Sequence, residues 1–326
     1  MNQSKITLIV LVITLLVVSM YWLFFYLDTG SNSKVKVSYY HWKSHYRPKA
    51  AQLKPLQAHQ LYIKFLDMGY SDKLELIQTR LPKNLDDQYG KIVPVVYIDN
   101  RVLKHTGTQK LLKIITESIA AKRYQSVQLD CDWTLSTRKR YFDLLHQLGK
   151  TYSDLSATIR LHQVKYFKKT GVPPVKTGVL MYYNMSDIRD LNSKNAILDL
   201  DVARQYHVNF RQYPLPLNLA FPLYHQIRLI RQQKVVMILI GSTLNHNKLD
   251  KIAPNRYQVN TAHYIQGQYL YKGDQLYVDQ VEVETLKEAA YTLKSLLKIK
   301  ELIFYELNYA KDFGYEHIKS IHHIFN

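Results

Sequence analysis

Along most of the chain, short apolar runs typical of buried strands alternate with segments whose apolar residues recur every three to four positions. The segment STRKRYFDLLHQLGK, for example, places Tyr141, Leu144, Leu145 and Leu148 on one helical face. Such alternation is the pattern of βα units, in which helices cover parallel strands. The sequence therefore predicts an α/β fold, a single (β/α)8 TIM-type barrel over residues 35–326. Its eight predicted strands begin at Val35, Gln60, Ile92, Ser126, Ser156, Gly178, Leu217 and Leu302.

One further apolar run, KVVMILIG from Lys234, does not fit a count of eight strands. It is followed by a long stretch, about 244–283, that separates the seventh predicted strand from the eighth. Within that stretch QYLYKGDQLYV has the pattern of a hairpin turning at Gly273 and Asp274. We therefore expect the barrel to carry an inserted β-hairpin region.

The stretch from Ile6 to Leu27 contains no charged residue. At about 1.5 Å per residue, a helix of this length crosses the hydrocarbon core of a bilayer. A cleavable signal peptide has a shorter apolar stretch and small residues before the cut, and neither is present. The sequence predicts a short tail over 1–5, an uncleaved transmembrane anchor over 6–27 and a polar linker over 28–34.

The orientation of this anchor depends on the charges beside it. Lys5 and the short amino end favour a cytoplasmic amino terminus, whereas Lys34 and Lys36 lie just beyond the apolar stretch. We expect a single-pass protein of the cytoplasmic membrane whose carboxy-terminal domain lies on the extracytoplasmic side.

Charge and composition narrow the class of partner. The formal net charge is +18, which favours anionic surfaces such as lipid headgroups or acidic polysaccharide. Lys and Arg are spread along the chain without a zinc-finger or aromatic RNA-binding motif, so nucleic acid is not an expected partner. The lone Cys131 excludes an intramolecular disulfide. No glycine-rich phosphate loop or HExxH motif occurs, and we expect neither a cofactor nor a metal.

The fourth predicted strand, SVQLDCDWT, carries two carboxylates two residues apart. Strand side chains alternate between faces, and in a barrel the apolar face packs under the helices while the other points into the lumen. The polar set therefore faces inward, with the later residues at the carboxyl rim where barrel active sites lie. This set comprises Ser126, Gln128, Asp130, Asp132 and Thr134.

Two short motifs resemble the chitinase-like glycoside hydrolases of family eighteen. LDCDWT is similar to their fourth-strand signature, and LMYYNM resembles their sixth-strand Met-x-Tyr-Asp. Longer stretches, LYIKFLDM, VQLDCDWTLSTRKRYFDLL and LSATIRLHQVKYFKKTGVPPV, resemble an uncharacterised bacterial family of barrel proteins. The resemblance implies a barrel that acts on, or binds, envelope or imported glycan in a bacterium.

Residue by residue, the resemblance is incomplete. Asp130 and Asp132 match the last two aspartates of the chitinase signature, and Tyr183 matches a tyrosine that contacts substrate. Asn184 stands where aspartate is usual, and Thr134 stands where the catalytic glutamate is expected. A threonine hydroxyl cannot protonate a glycosidic oxygen near neutral pH.

Three explanations are consistent with these residues. Asp132 is the general acid, with Asp130 as its electrostatic neighbour and Asp67 or Glu306 as the second carboxylate. Alternatively the barrel binds glycan without cleaving it, or the aspartates are structural and are held by Arg160 and Lys64.

The remaining candidates are expected to bind substrate. Aromatic side chains after the first and seventh strands, including Tyr39 and Tyr40, are suited to stacking on a sugar ring, and polar groups after the other strands are suited to its hydroxyls. The expected binding residues are Tyr183, Asn184, Arg160, His162, Gln163, Asp67, Glu306, Tyr224 and Trp42.

Overall fold

The computed structural model describes residues 14, 18–20, 34–43, 56, 58–79, 91–119 and 124–326. The predicted tail, most of the predicted anchor and most of the linker lie outside these residues. Within the described part of the chain, no helix combines the length and the apolar character needed to span a membrane. Residues Val35–Asn326 form one compact unit.

Eight parallel strands close into a barrel, as the sequence predicts. The strands of this sheet are β1 (Lys36–His41), β2 (Gln60–Tyr70), β3 (Leu74–Gln78), β4 (Lys91–Ile98), β5 (Ser126–Asp130), β6 (Asp154–Arg160), β7 (Thr177–Met181), β8 (Leu217–Pro222) and, after an inserted region, β16 (Glu301–Tyr305). The barrel strands pair in the order β1-β2-β4-β5-β6-β7-β8-β16, and β16 pairs with β1 to complete the ring. The additional strand β3 pairs antiparallel with the carboxyl-terminal half of β2.

Helices follow most of these strands and cover the outside of the barrel. The helix over Arg138–Leu148 buries Tyr141, Leu144, Leu145 and Leu148, the face that the sequence predicts. The helices are α1 (Asn100–His105), α2 (Thr108–Ser118), α3 (Arg138–Leu148), α4 (Leu161–Lys165), α5 (Phe167–Thr170), α6 (Leu200–Arg204), α7 (Val283–Lys294), α8 (Ala310–Phe313) and α9 (Tyr315–Phe325), with 3-10 turns at His207–Gln212, His246–Lys248 and Leu307–Tyr309.

The amino-terminal end of the lumen is filled by a polar network. Glu301, at the start of β16, accepts hydrogen bonds from Ser38 on β1, from Gln60 and Tyr62 on β2, and from Asn218 on β8. A buried carboxylate is tolerated when donors surround it in this way. The network ties together the first residues of three different barrel strands around β16.

The region between β8 and α7 is a second, antiparallel sheet rather than a single hairpin. This sheet begins at Gln226, whereas the sequence indicates a boundary near residue 244. The apolar run from Lys234, which did not fit a count of eight barrel strands, is one of its strands. Its strands are β9 (Gln226–Arg231), β10 (Lys234–Ile240), β11 (Leu249–Ala253), β12 (Arg256–Val259) and β15 (Gln275–Asp279), in the order β10-β9-β15-β12-β11, with β13 (His263–Ile265) and β14 (Gln268–Leu270) as a separate pair.

The predicted hairpin at Gly273 and Asp274 is wrong in its pairing. A turn does occur there, and Gly273 takes the positive φ of 93° that favours glycine. The strands on either side do not pair with each other, because β14 pairs back to β13 and β15 pairs with β9 and β12. The turn thus connects two sheets.

The two faces of the inserted sheet have different surroundings. Ile227, Leu229, Leu239 and Leu276 pack into a small core of their own. The opposite face carries a fully buried ion pair between Arg228 and Asp279, with 2.9 Å between Nη2 and Oδ1.

That ion pair attaches the inserted sheet to the loop after β7. Arg228 donates to the backbone oxygens of Asp190 and Ser193, and Asp279 accepts from the backbone N–H of Ala196. The sheet is therefore held against a loop that follows a barrel strand, beside the carboxyl ends of the strands.

Candidate functional site

A cavity of about 900 Å³ opens at the carboxyl ends of the barrel strands. Most of its wall comes from residues at or just after the ends of β1, β4, β5, β6, β7, β8 and β16, and the rest comes from the loop after β7 and from the inserted sheet. The lining residues that bear on function are Tyr40, Trp42, Lys43, Tyr97, Asp130, Thr158, Arg160, Met181, Tyr183, Asn184, Ser186, Ile188, Tyr224, Gln226, Ile238, Ile240, Tyr305, Glu306 and Tyr309.

Aromatic rings form much of this wall, with Tyr305 at their centre. Its ring stacks on Tyr183 at 5.2 Å between centroids and contacts Trp42 at 5.9 Å and Tyr224 at 5.6 Å. Contacts of this kind hold each ring in one orientation. The cavity thus presents rigid, flat apolar faces beside polar groups.

Asp130 is the carboxylate at the end of β5 and lines the cavity with only 7% of its surface exposed. Its Oδ1 accepts a hydrogen bond from the Thr158 hydroxyl at 2.6 Å. Burial raises the pKa of Asp130 to about 6, and the neighbouring charge of Asp132 adds to this effect, while Thr158 and Arg160 oppose it. A carboxyl group with such a pKa exchanges a proton near neutral pH, as an acid or base in catalysis must.

Asp132 is placed differently from Asp130. The strand β5 ends at Asp130, so the strand alternation does not continue to Asp132, whose side chain is 55% exposed. Arg160 binds it through Nε and Nη2, at 2.7 and 2.9 Å from the two carboxylate oxygens. Asp132 is not among the residues that line the cavity. Of the two aspartates, Asp130 is thus the one that lines the cavity.

Thr134 does not point into the cavity with Asp130, contrary to the sequence-based expectation. Its hydroxyl lies 3.0 Å from that of Ser136 and accepts from Asn100 Nδ2 at 3.3 Å. Its carbonyl oxygen accepts from the backbone N–H groups of Thr137 and Arg138, where α3 begins. The position where the resemblance places a glutamate belongs to this turn.

Glu306 supplies a second buried carboxyl group to the cavity. It directly follows β16 and accepts a hydrogen bond from Asn308. Burial raises its pKa, while Asn308, the nearby Lys43 and the backbone of Trp42 oppose the increase. Two carboxyl groups from different strands, both with a raised pKa, therefore line the same cavity.

Asp67 and Lys64 form a pair of their own on β2. The ammonium group of Lys64 lies 3.0 Å from Asp67 Oδ2 and 5.6 Å from the centre of the Trp42 ring. The expectation that Lys64 holds Asp130 or Asp132 is therefore corrected, because its carboxylate partner is Asp67. Asp67 itself is not among the lining residues.

Tyr183, Asn184 and Tyr224 all line the cavity. Tyr224 donates to Asn184 Oδ1 at 2.5 Å. Asn184 has a positive φ of 55°, a conformation that asparagine adopts more readily than most residues. The Tyr183 hydroxyl is buried and has no hydrogen-bond partner within the described structure.

His162 and Gln163 lie beside the cavity wall rather than in it. His162 is exposed on α4, whereas Gln163 is buried and its Oε1 accepts from the backbone N–H of Arg160 at 2.8 Å. Gln163 thus holds the backbone of the arginine that lines the cavity. Of the aromatic residues at the end of β1, Tyr40 and Trp42 line the cavity, while Tyr39 is fully buried against Phe304.

No family model matches the chain, and no curated protein matches it. Solved structures do match the chain in their fold, over most of its length. The chain has the fold of the chitinase-like barrels.

Three of these structures show the extent of the match. The spore cortex-lytic enzyme SleL of Bacillus cereus has a TM-score of 0.56 at 12% identity, over 88% of this chain and 74% of that one. The C-terminal domain of a putative chitinase from Desulfitobacterium hafniense has a TM-score of 0.59 at 10% identity, over 90% and 100%. The chitinase-like agglutinin RobpsCRA of Robinia pseudoacacia has a TM-score of 0.51 at 11% identity, over 90% and 100%.

Several residues of this chitinase-like barrel that line the cavity are missed by the sequence reasoning. Tyr97 and Tyr305 are the penultimate residue of β4 and the last residue of β16, so their position at strand ends is a signal that was available. Gln226, Ile238 and Ile240 come from the inserted sheet, and no local pattern indicates that this sheet reaches the cavity.

A metal site is not apparent in the described part of the barrel. Among those residues, no group of three or more His, Cys, Asp and Glu side chains is arranged to hold an ion. The cavity itself presents carboxyl, guanidinium, amide and phenol groups.

Proposed function

We propose that this barrel binds a carbohydrate in the cavity at the carboxyl ends of its strands. The observation that carries the proposal is a wall of orientated aromatic rings beside carboxyl, guanidinium and amide groups in one cavity. Pyranose rings have an apolar C–H face and a rim of hydroxyl groups. Aromatic rings pack on the C–H face, and polar groups such as Asp130, Arg160 and Asn184 form hydrogen bonds with the hydroxyl groups.

The structural neighbours support the same class of ligand. They include a chitinase, a spore cortex-lytic enzyme and a chitinase-like agglutinin, and the last has the fold without being named as an enzyme. The fold is thus compatible both with cleavage of a glycan and with binding alone.

Binding is tested by titration calorimetry with a panel that contains chitotetraose, peptidoglycan fragments and acidic oligosaccharides. Trp42→Ala removes a stacking face from the cavity and is expected to weaken binding at least tenfold. Tyr166→Ala is the matched control, because Tyr166 is an exposed aromatic residue outside the cavity. The proposal is overturned if no member of the panel binds, or if the two variants weaken binding equally.

Hydrolysis of a glycosidic bond is the second candidate function. It is favoured by the two buried carboxyl groups, Asp130 and Glu306, whose pKa values are both raised. Asp130 would protonate the glycosidic oxygen as the bond to the anomeric carbon breaks. Water would then attack that carbon and transfer a proton to Glu306.

The hydrolytic candidate is tested on whichever panel member binds. Asp130→Asn and Glu306→Gln are each expected to reduce product release at least 100-fold while binding is retained. Asp132→Asn is expected to stay within tenfold of the parent, because Asp132 lies outside the cavity wall. Loss of activity in Asp132→Asn alone would return the acid role to that residue.

We also propose that the stretch over 6–27 anchors the barrel in a bacterial cytoplasmic membrane, with residues 35–326 on the extracytoplasmic side. Its uncharged sequence supports this placement. Membrane fractionation followed by protease accessibility in spheroplasts tests it. Recovery of the full chain in the aqueous fraction would contradict it.

A further inference from the structure

The cavity has an aliphatic part as well as an aromatic part. Ile238 and Ile240 reach it from β10, and Ile188 reaches it from the loop after β7. Ile240 is 51% exposed, and the other two are partly exposed. Apolar side chains from two separate segments therefore face open space at the same cavity.

Ile238 and Ile240 lie on one face of β10, in register with Arg228 and Gln226. This strand is an edge of the inserted sheet, and its residues Val236 and Met237 are also exposed. Scattered exposed apolar residues are ordinary on protein surfaces, but apolar side chains that line one cavity together suit an apolar part of a ligand. Ile188, Ile238 and Ile240, which all line the cavity, form the isoleucine wall.

The isoleucine wall adjoins the polar groups of the cavity. Ile240 pairs in register with Gln226, whose side chain lines the same cavity, and Asp130, Arg160 and Glu306 line it as well. Aromatic faces suit sugar rings, whereas branched aliphatic side chains gain most from burying alkyl groups. A bare oligosaccharide would leave the isoleucine wall in contact with water.

We infer that the ligand is a glycoside that carries an alkyl or acyl chain, with the sugar among the aromatic and charged groups and the chain on the isoleucine wall. This inference rests on the proposed function and specifies its substrate class. An amphiphilic glycan satisfies both parts of the cavity at once.

The probes are methyl and octyl N-acetyl-β-D-glucosaminide, with octan-1-ol as a chain that lacks a sugar, all used below the concentrations at which they aggregate. The octyl glycoside is expected to bind the intact chain about 30-fold more tightly than the methyl glycoside. In an Ile238→Ser, Ile240→Ser variant this preference, taken as the ratio of the two affinities, is expected to fall below threefold. Val208→Ser, at a position 71% exposed outside the cavity, is the control and should keep the full preference.

The outcomes separate this inference from the proposed function. Equal binding of the methyl and octyl glycosides overturns the inference and leaves carbohydrate binding intact. Octan-1-ol binding as tightly as the octyl glycoside overturns both, because the sugar would then contribute nothing. A preference for the octyl glycoside that survives in the double variant also overturns the inference, since the chain would lie elsewhere.

Discussion

Arg160 holds Asp132 through two hydrogen bonds of 2.7 and 2.9 Å, and the same arginine lines the cavity beside the buried Asp130. Asp132 therefore competes with Asp130 for one positive charge. Charge on Asp132 raises the pKa of Asp130, and the charge of Arg160 lowers it.

Substitutions in this ion pair are expected to move the pKa of Asp130 in opposite directions. Asp132→Asn removes a negative neighbour and frees Arg160, so the pKa of Asp130 should fall. Arg160→Met removes the cation, so the pKa of Asp130 should rise. Titration of the Asp130 carboxyl carbon by NMR measures both shifts, and shifts of the same sign would contradict the arrangement.

The raised pKa of Asp130 also predicts how stability depends on pH. Between about 4 and 6 the folded protein holds a proton on Asp130 that the unfolded chain has released, so the free energy of unfolding falls as pH rises through this window. The ionised, buried group then costs about 2–3 kcal/mol. Asp130→Asn should stabilise the protein by an amount of this order at pH 7.5 and have little effect at pH 4.

Urea denaturation of the parent and of Asp130→Asn at both pH values measures the difference directly, because the contributions of other titrating groups cancel between the two proteins. If the variant were destabilised equally at pH 4 and pH 7.5, the carboxyl group of Asp130 would not be the buried, proton-binding group described above.

The inserted sheet depends on its buried ion pair. Arg228→Met would leave the Asp279 carboxylate without its charged partner, which costs about 3–5 kcal/mol. Arg228→Met combined with Asp279→Asn should recover part of this loss, since no charge remains buried. Arg189→Met breaks an exposed pair with Asp187 in the neighbouring loop and should cost less than about 1 kcal/mol.

Hydrogen exchange shows where these effects occur. Faster exchange over 226–279 in Arg228→Met, with the barrel strands unchanged, is the expected result. Uniform acceleration across the barrel would show that the inserted sheet and the barrel unfold together.

The packing of β7 between its neighbours gives a test of the barrel itself. A Cβ atom at Gly178 would lie 2.8 Å from both Ile159 and Leu217, so Gly178→Ala should destabilise the protein by about 1–3 kcal/mol. Gly69→Ala on β2 meets only ordinary contacts, beginning at 3.7 Å, and is the control. Thermal denaturation compares the two, and equal midpoints would contradict the register of β6, β7 and β8.

The barrel could be predicted from the sequence because its strands are buried on both faces. Such strands are continuous apolar runs, as β4 illustrates, and they stand out without any knowledge of their partners. The inserted sheet could not be predicted in the same way. β10 is equally apolar but largely exposed, and its antiparallel partner β9 was not recognised as a separate strand.

The candidate site could be predicted only in part, because the exact residue at which a strand ends decides which side chains reach the cavity. Asp130, Tyr183 and Glu306 are predictable as cavity residues because they lie at or shortly after the ends of strands. Strict alternation would place Asp132 and Thr134 beside Asp130, but the strand stops at Asp130 and the chain turns into α3. Contacts between distant segments, such as Ile240 at the cavity, leave no local pattern.

The proposal that the cavity at the barrel mouth holds a carbohydrate can be checked in a crystal structure with the best-binding saccharide. A sugar ring packed on the aromatic wall of Trp42, Tyr183 and Tyr305, with hydroxyl groups within hydrogen-bonding distance of Asp130 or Glu306, is the predicted result. Saccharide bound elsewhere on the protein, with the cavity occupied only by water, would contradict the claim.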